Sequence, residues 1–445
     1  MAEVTVGIDI GTTAVKAVAA DENGTVEARV RIPHRLVIPA PDQMEHDAEE
    51  AWRQGPLQAL AALNRPDARA LAVSTMVPSM TAVDVEGHPL TPGLLYGDGR
   101  GRRARRGGGA DPSPIGEAAE FLRWTVDQAR SAAGFWSAPA VVNFALGRAP
   151  VVDALTAYTT APLFDGEQWN EELCAECGAS LDQMPRVEVT GAPLGTVAGS
   201  DTVLAAGSVD ALAEQLVAGA DHDGDVLVLC GTTLIVWATS PLRVEAPGLW
   251  TIPHSTPGKW QIGGASNAGG LFLSWTDRLF GPANPADADF GRVPVWSPYI
   301  RGERTPFQDP DLRALVEGLD LTHDAASLRR AAYEASGFVV RHLLDLANVP
   351  ARRIVATGGG TRIDPWIRAI ADATGLPVEV AAVPEGAALG DAFLARLAVG
   401  LESSMTDASR WARTDRVVEP DPQWTGPMED RYRRFRDLAN LTRTS

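Results

Sequence analysis

The sequence predicts an α/β protein built from two similar domains, on three observations. At 445 residues the chain exceeds the roughly 250–300 residues at which a single hydrophobic core stops growing. Segments with strand character alternate with segments of helical periodicity, for example three strands followed by a helix over 48–63 and a strand over 70–74. A distinctive strand–turn–strand stretch also occurs twice, at 4–19 and at 225–239.

The first of these stretches, residues 4–19, is expected to form a β-hairpin whose tip binds a phosphate. The backbone N–H groups of Gly11, Thr12 and Thr13 can point together at an anion, and the threonine hydroxyls add donors. Asp9 would repel that anion unless a cation lay between them, so Asp9 is expected to hold Mg²⁺. A plain polar hairpin tip is the alternative, because Gly and Thr are ordinary turn residues.

The second stretch makes the phosphate hypothesis more specific. It repeats the order strand, Gly231-Thr232-Thr233, strand. Two such hairpins in the two halves of one chain suggest two similar lobes, each offering a phosphate clamp to one nucleotide, with the nucleotide cleft between them.

The boundary between the two domains is expected in a linker over 193–199. This gives an N-terminal domain of residues 1–199 and a C-terminal domain of residues 200–445. The second domain opens with a strand and then a helix that begins at Asp210, where the helix dipole and free N–H groups favour an ionised carboxylate. Capping alone explains an aspartate there, and a catalytic carboxylate is the sharper alternative.

A third glycine cluster, Gly358-Gly359-Gly360, follows a predicted strand and precedes a helix that begins at Asp364-Pro365. It is either a tight turn or a place where missing side chains let a flat purine lie against bare backbone. The P-loop pattern is absent, and no G-x-G-x-x-G stands in a strand–turn–helix context, which excludes P-loop and Rossmann interpretations.

The composition narrows the classes of partner. A formal net charge of −18 argues against a nucleic-acid surface, which would need a basic stripe, so a small-molecule partner is expected. No apolar run of about 18 residues and no apolar leader occur, so we expect a cytoplasmic protein without a membrane partner. Cys174 and Cys177 are expected to be structural, with a redox or zinc role as the alternative. The oligomeric state stays open, a homodimer included.

Residues 99–109 are nearly all Gly and Arg. A solvated flexible loop and an anion-steering lid over a phosphorylated ligand are the two interpretations of this stretch.

Taken together, these motifs resemble the FGGY carbohydrate kinase family, within the fold shared by actin, hexokinase and the heat-shock chaperone ATPases. The likeness covers almost the whole chain and implies two ribonuclease-H-like domains. Asp9–Thr13 looks like the family's first phosphate segment, with Asp9 serving Mg²⁺, and 230–233 looks like the second. Gly207–Asp210 matches the segment that carries the family's catalytic aspartate.

Three further segments extend the match. Pro298–Pro306 resembles the family's Gly-Glu-Arg-Thr-Pro segment, and Thr357–Gly360 with Pro384–Gly390 resembles its adenosine region. The resemblance thereby implies a sugar-binding N-terminal lobe and an ATP-binding C-terminal lobe that carries the catalytic aspartate and the adenosine site.

Departures from the family lie on the sugar side. Met76-Val77-Pro78-Ser79 stands where xylulokinase-like members carry Gln-Met-His-Gly. Tyr96–Arg100 stands where they carry Trp-Asn-Asp-x-Arg, so that Asp98 and Arg100 are kept. These changes leave the acceptor open while the nucleotide chemistry is intact.

The reaction that the resemblance implies is ATP-dependent phosphorylation of a sugar or polyol hydroxyl, with D-xylulose or a related ketose as the first candidate. Asp210 would accept the proton of the attacking hydroxyl, while Mg²⁺ and both Gly-Thr-Thr turns neutralise the phosphates. Asp98, held by Arg100, would bind the acceptor, and Val77 would lie on the same side. An acceptor-independent ATPase of the same fold and a catalytically silent sugar or nucleotide sensor are the alternatives.

Overall fold

The computed structural model describes residues 3–101, 116–256 and 258–441. The strands, numbered in chain order, are β1 Thr5–Ile10, β2 Ala14–Ala20, β3 Val26–Pro33, β4 Glu45–His46, β5 Ala70–Thr75, β6 Ser79–Val83, β7 Gly93–Leu95, β8 Gly134–Trp136, β9 Val151–Asp153, β10 Arg186–Glu188, β11 Pro193–Thr196, β12 Val203–Val209, β13 Asp225–Cys230, β14 Leu234–Ser240, β15 Trp250–Pro253, β16 Trp260–Ser266, β17 Val295–Ser297, β18 Leu315–Glu317, β19 Arg353–Thr357, β20 Val378–Ala381 and β21 Thr414–Val418.

The α-helices are α1 Gly55–Leu63, α2 Glu117–Gln128, α3 Ala138–Gly147, α4 Ala154–Tyr158, α5 Glu171–Glu176, α6 Asp210–Ala218, α7 Gly270–Phe280, α8 Ala325–Ala347, α9 Asp364–Thr374, α10 Gly386–Ala398 and α11 Pro422–Leu441. A π-helical turn over Glu49–Gln54 precedes α1, so the predicted helix over 48–63 forms in two parts. Among the described residues, no helix combines the length and apolar character needed to cross a bilayer.

The chain forms two compact units. Unit 1 comprises Met1–Val217 and Glu385–Trp411, and unit 2 comprises Ala218–Pro384 and Ala412–Ser445. Each unit has its own large cluster of buried apolar side chains, around β1, β2 and β5 in unit 1 and around β13, β14 and α8 in unit 2.

The two main sheets share one topology. Unit 1 has the strand order β11-β12-β5-β1-β2-β3, and unit 2 has the order β15-β16-β14-β13-β19-β20-β21. In both sheets a hairpin strand pairs antiparallel with its partner and parallel with a strand from further along the chain: β1 with β2 and β5, and β13 with β14 and β19. This duplication confirms the prediction of two similar α/β domains.

The central strands read as continuous apolar runs because both faces of each sheet are covered. Every residue of β1 and β5 is buried, as expected of parallel strands between layers of helix. β3 at the sheet edge instead alternates partly buried and exposed residues. α10 crosses β1 so closely that a Cβ on Gly7 would lie 1.7 Å from Ala388 O, which explains the glycine in an otherwise apolar strand.

The division of the chain differs from the predicted boundary after residue 199. β12 lies beyond that boundary, yet it pairs with β5 and β11 in the first sheet, so α6 begins in unit 1 together with Asp210. α10 also returns to unit 1, although the prediction assigned it to the C-terminal domain. The predicted adenosine segments 357–360 and 384–390 therefore lie mostly in different units. The boundary predicted from sequence order was wrong because β12 and α10 are held in unit 1 by contacts between residues far apart in the chain.

Candidate active site

The first hairpin carries a partly buried ion pair just before its tip. Asp9 on β1 faces Lys16 on β2, and Lys16 Nζ lies 2.8 Å from Asp9 Oδ2. Asp9 Oδ1 is buried, and no described residue hydrogen-bonds to it. The charge of Asp9 raises the pKa of Lys16 against the opposing effect of burial, and Glu214 and Asp210 add to the rise. Lys16 was not predicted as a site residue, although its register with Asp9 follows from counting outward from the turn.

Three parallel strands bring the site residues of unit 1 to one edge of the sheet. β1, β5 and β12 are adjacent and parallel, so their carboxyl ends lie side by side. Asp9 lies near the end of β1, the partly buried Val77 follows β5, and Asp210 follows β12 as the first residue of α6. Glu214, one turn along α6, acts on Lys16 together with Asp210. Three carboxylates and one ammonium group therefore form a charged cluster.

Asp210 is placed by a tight approach of two strands. A Cβ on Gly207 would lie 2.0 Å from Val73 O, and the register of β12 against β5 shifts between Ala206 and Val209. Asp210 Oδ1 accepts a hydrogen bond from Ala211 N at 2.7 Å, and the residue is only partly buried. The carboxylate is thus oriented by the backbone of its own helix.

The tip of the first hairpin offers fewer donors than the sequence predicted. Gly11 N–H donates to Ala14 O at 3.1 Å and closes the turn, so it does not point at an anion. The Thr12 hydroxyl is buried and lies 2.8 Å from Tyr96 Oη. Within the part of the chain that the structure describes, no acceptor pairs with the backbone N–H of Thr12 or Thr13. These two N–H groups and the exposed Thr13 side chain are therefore the donors of the tip that could bind an anion.

The carbonyl groups of the same tip accept hydrogen bonds from residues outside the hairpin. His46 Nε2 lies 2.8 Å from Thr12 O, and His34 N donates to Thr13 O at 3.1 Å. Trp52 Nε1 donates to His46 Nδ1 at 3.0 Å, which leaves the His46 proton on Nε2. Burial lowers the pKa of His46 to about 3, helped by the neighbouring His34. A neutral histidine therefore fixes the tip, a role that no local sequence signal indicated.

The second hairpin repeats this arrangement with different donors. Gly231 N–H closes the turn on Thr233 O at 3.1 Å. Gly270 N donates to Gly231 O at 2.9 Å, and Leu271 N donates to Thr232 O at 3.0 Å. These donors are the first residues of α7, so the helix N-terminus lies against the tip. As in the first hairpin, the glycine N–H is used internally, which corrects the prediction that it binds phosphate.

Two glycines that the sequence analysis did not single out permit this contact. A Cβ on Gly269 would lie 2.4 Å from the carbonyl carbon of Thr233, and a Cβ on Gly270 would lie 2.7 Å from Gly231 O. The adjacent pair of glycines shortly after β16 was a sequence signal that could have been followed.

The Gly358–Gly360 cluster lies beside the second hairpin because β19 pairs in parallel with β13. Gly358 has φ +90°, and a Cβ on Gly360 would lie 2.2 Å from the Trp366 ring. Packing alone therefore requires glycine at these two positions. Gly359 is exposed with no atom near its missing Cβ, so it is the one glycine that fits the prediction of bare backbone facing a ligand.

Asp98 is buried and fully engaged. Its Oδ2 accepts from Met44 N at 2.7 Å and from Arg100 Nη2 at 2.7 Å, and its Oδ1 accepts from Arg100 N at 2.8 Å. The predicted Asp98–Arg100 pair is thus present, but both Asp98 oxygens already accept hydrogen bonds from the protein and are not directed at a sugar substrate. Arg100 also contacts Glu45 and lies over the Trp124 ring, with 4.8 Å between its guanidinium carbon and the ring centroid.

A further buried carboxyl group lies behind Asp9. Asp391, in the middle of the apolar helix α10, is fully buried, and no described residue makes a hydrogen bond of ordinary geometry to either of its oxygens. Burial raises its pKa well above the usual value, and the charge of Asp9 adds to this although Ser74 opposes it. Burial therefore favours the uncharged form of Asp391.

Two other predictions concern the same unit. The predicted Gly/Arg loop 99–109 lies outside the described residues from Arg102 onward. Cys174 and Cys177 are buried, and burial raises the pKa of Cys174 to about 11, with Cys177 adding to the rise. A protonated, buried thiol supports the structural interpretation of the pair.

Family models describe both halves of the chain. Residues 4–105 match the N-terminal domain of the FGGY family of carbohydrate kinases, and residues 226–399 match its C-terminal domain. Together the two matches cover more than half of the sequence.

Individual relatives agree with the family models. The chain is 26% identical to xylulose kinase of Escherichia coli strain K12, over 97% of this chain and 98% of that enzyme. It is 25% identical to gluconokinase of Bacillus subtilis strain 168, over 98% and 94% of the two chains. The solved structure of xylulose kinase from Rhodospirillum rubrum superposes with a TM-score of 0.76 at 26% identity, covering 99% of each chain. The chain belongs to the FGGY family of carbohydrate kinases and has the family's two-domain actin- and hexokinase-like fold.

Proposed function

We propose that this protein transfers the γ-phosphoryl group of Mg-ATP to a hydroxyl of a small sugar or polyol, with D-xylulose or a related ketose as the first acceptor to test. The observation that carries the proposal is the charged cluster at the carboxyl ends of β1, β5 and β12. It joins Asp9 and Lys16 of the first hairpin to Asp210 and Glu214 of α6.

The residues around Asp9 fit a magnesium ion. Asp9 Oδ1 is a buried carboxylate oxygen that no described residue satisfies, so Asp9 is the residue that would hold the ion. When bound, Mg²⁺ neutralises the charge of the β- and γ-phosphates. Lys16, which already pairs with Asp9 Oδ2, adds a second positive charge at this place.

Asp210 is the residue we assign as general base. The acceptor oxygen attacks the γ-phosphorus, the bond from that phosphorus to the β,γ-bridging oxygen breaks, and the acceptor's hydroxyl proton passes to the Asp210 carboxylate. The hydrogen bond from Ala211 N to Asp210 Oδ1 orients the carboxylate that would take the proton.

The phosphate donors follow from the two hairpin tips. In unit 1, Thr12 and Thr13 would donate backbone N–H groups to a phosphate, because the carbonyls of that tip accept hydrogen bonds from other residues. In unit 2, Thr232 and Thr233 would do the same at their own tip. On the acceptor side, Val77 follows β5 and would contact the sugar. Asp98 and Arg100 would support the residues on that side without binding the sugar themselves, because each neutralises the charge of the other.

The test is ADP release by the full chain with Mg-ATP and a panel of D-xylulose, other ketoses, aldoses, alditols and sugar acids including gluconate. We expect ADP release to depend on the acceptor and to be fastest with a ketose. ADP formed at the same rate without any acceptor would instead favour an ATPase of the same fold. A sugar that raises the melting temperature while no ADP forms would favour a sensor.

A further inference from the structure

Glu303, in the Gly-Glu-Arg-Thr-Pro segment, is a buried carboxylate that has no part in the reaction scheme above. Its Oε1 accepts from Asn267 N at 3.0 Å and from Arg304 N at 2.6 Å, and its Oε2 accepts from Ser266 Oγ at 2.6 Å. Both oxygens are thus engaged by the end of β16 and by the following loop.

Other bonds join the same two segments. Asn267 Nδ2 donates to Gly302 O at 3.0 Å, and Thr305 Oγ1 donates to Ala265 O at 2.8 Å. Ser266 Oγ, besides donating to Glu303, accepts from Ala268 N at 3.1 Å. The segment over 265–268, which is the end of β16 and the loop after it, is therefore bound along the segment over 301–305, with Glu303 at the centre of the contact.

This loop leads directly into the N-terminus of α7. Gly269 and Gly270 follow it and make the close approach to the second hairpin described above. The N–H groups of Gly270 and Leu271 then hold the carbonyls of the Gly231–Thr233 tip. An uninterrupted path of backbone contacts runs from the Glu303 carboxylate to the tip.

We propose that Glu303 is a positioning residue for the nucleotide phosphates: it fixes the segment over 265–268, and through α7 it fixes the Gly231–Thr233 tip. The link to phosphate rests on the proposed function, whereas the mechanical link from Glu303 to the tip does not.

The charge state of Glu303 makes this role measurable. Burial raises its pKa to about 7, against the lowering effect of the hydrogen bonds from Ser266, Asn267 and Arg304 and of the Arg304 charge. Burial also raises the pKa of Tyr299, and the charges of Glu303 and Tyr432 add to the rise, so Tyr299 brings no negative charge near Glu303. Above pH 7 the carboxylate makes charge-assisted bonds, which are about twice as strong as neutral ones.

Glu303→Gln imitates the protonated side chain with the same shape. At pH 8 we expect kcat/KM for ATP to fall about tenfold, mostly through KM for ATP, with KM for the acceptor unchanged. At pH 6 the gap should shrink to about twofold, because the wild-type side chain is then mostly neutral. Ser266→Ala should give a smaller change in the same direction. A loss that is equal at both pH values, or that falls on the acceptor, would overturn the proposal.

Stability separates positioning from mere structural support. The pKa of Glu303 is higher in the folded chain than the ordinary 4.5, so its contribution to stability is greatest below pH 4.5 and is lost as the pH rises through 7. Gln carries no charge to bury. Glu303→Gln should therefore melt at pH 8 no lower than the wild type, with the exposed Glu419→Gln as matched control. A carboxylate needed only for folding would give a lower melting temperature together with the lost activity.

Hydrogen exchange tests the mechanical link without turnover. In Glu303→Gln at pH 8 we expect faster exchange in peptides covering 226–236 and 266–272 and no change in peptides covering 5–16. Unchanged exchange at 226–236 would overturn the inference, whatever the kinetics show. Faster exchange in a protein that releases no ADP with any acceptor would uphold the inference about Glu303 and refute the proposed function.

Discussion

The pairing of Asp9 with Lys16 is the residue-scale feature on which the nucleotide chemistry depends. One oxygen of Asp9 is held by Lys16 and the other is buried with no partner among the described residues. A carboxylate with one paired oxygen can bind a cation through the other oxygen, while the lysine keeps the side chain in place. The pair also explains why two charged residues stand inside otherwise apolar strands.

Asp9→Asn tests this arrangement. The amide keeps the shape but loses the charge that attracts Mg²⁺, so the Mg²⁺ concentration that gives the half-maximal rate should rise by about 10- to 100-fold. The measurement is the rate of ADP formation against Mg²⁺ at fixed ATP. Asp201→Asn, at an exposed position of the same unit, is the control. An unchanged Mg²⁺ dependence in Asp9→Asn would refute the metal assignment.

Residue identities were easier to predict from the sequence than the state of each group. Asp98 and Arg100 were correctly paired, yet the sequence could not show that Met44 N and Arg100 together occupy both Asp98 oxygens. His46 was missed altogether, because its contact with Thr12 O joins residues 34 positions apart. Such contacts depend on tertiary packing, which no motif encodes.

At the scale of elements, the two hairpins share a design that fits anion binding. In each one the glycine N–H closes the turn, and the carbonyls of the tip accept hydrogen bonds from behind. The N–H groups that remain are those of the threonines. The hairpins themselves were predictable because β-branched runs around Gly-Thr-Thr are a local signal. The groups that bond to the tip carbonyls were not predictable, because His46 and α7 lie elsewhere in the chain.

The Gly358–Gly360 cluster provides an element-scale test of the adenosine prediction. Gly359→Leu places a side chain in open space, so the fold should be unaffected. If the purine lies on this backbone, KM for ATP should rise by about tenfold or more while KM for the acceptor stays the same. Gly426→Leu, at an exposed glycine of α11 that also has no neighbouring atom, is the control. Equal KM values for ATP in both variants would exclude Gly359 from the nucleotide site.

At the scale of the whole molecule, the chain is a duplicated α/β architecture. Unit 1 contains more of the sequence than the predicted N-terminal domain. The repeated hairpin predicted the two domains, and the matching strand orders of the two sheets confirm them. The boundary was misplaced because β12 and α10 complete the first sheet from beyond it. As a result, Asp9 and Asp210 belong to a single compact unit, which strengthens the case that they act on the same phosphoryl group.

Asp210→Asn is the most direct test of this account, measured as ADP formation with the best acceptor found in the panel. The amide can still accept the hydrogen bond from Ala211 N, so folding should be preserved, while the base is lost. We predict that kcat falls by about 10²- to 10⁴-fold with the melting temperature unchanged, whereas Asp201→Asn keeps the wild-type rate. An Asp210→Asn variant that turns over the acceptor as fast as the wild type would contradict the account.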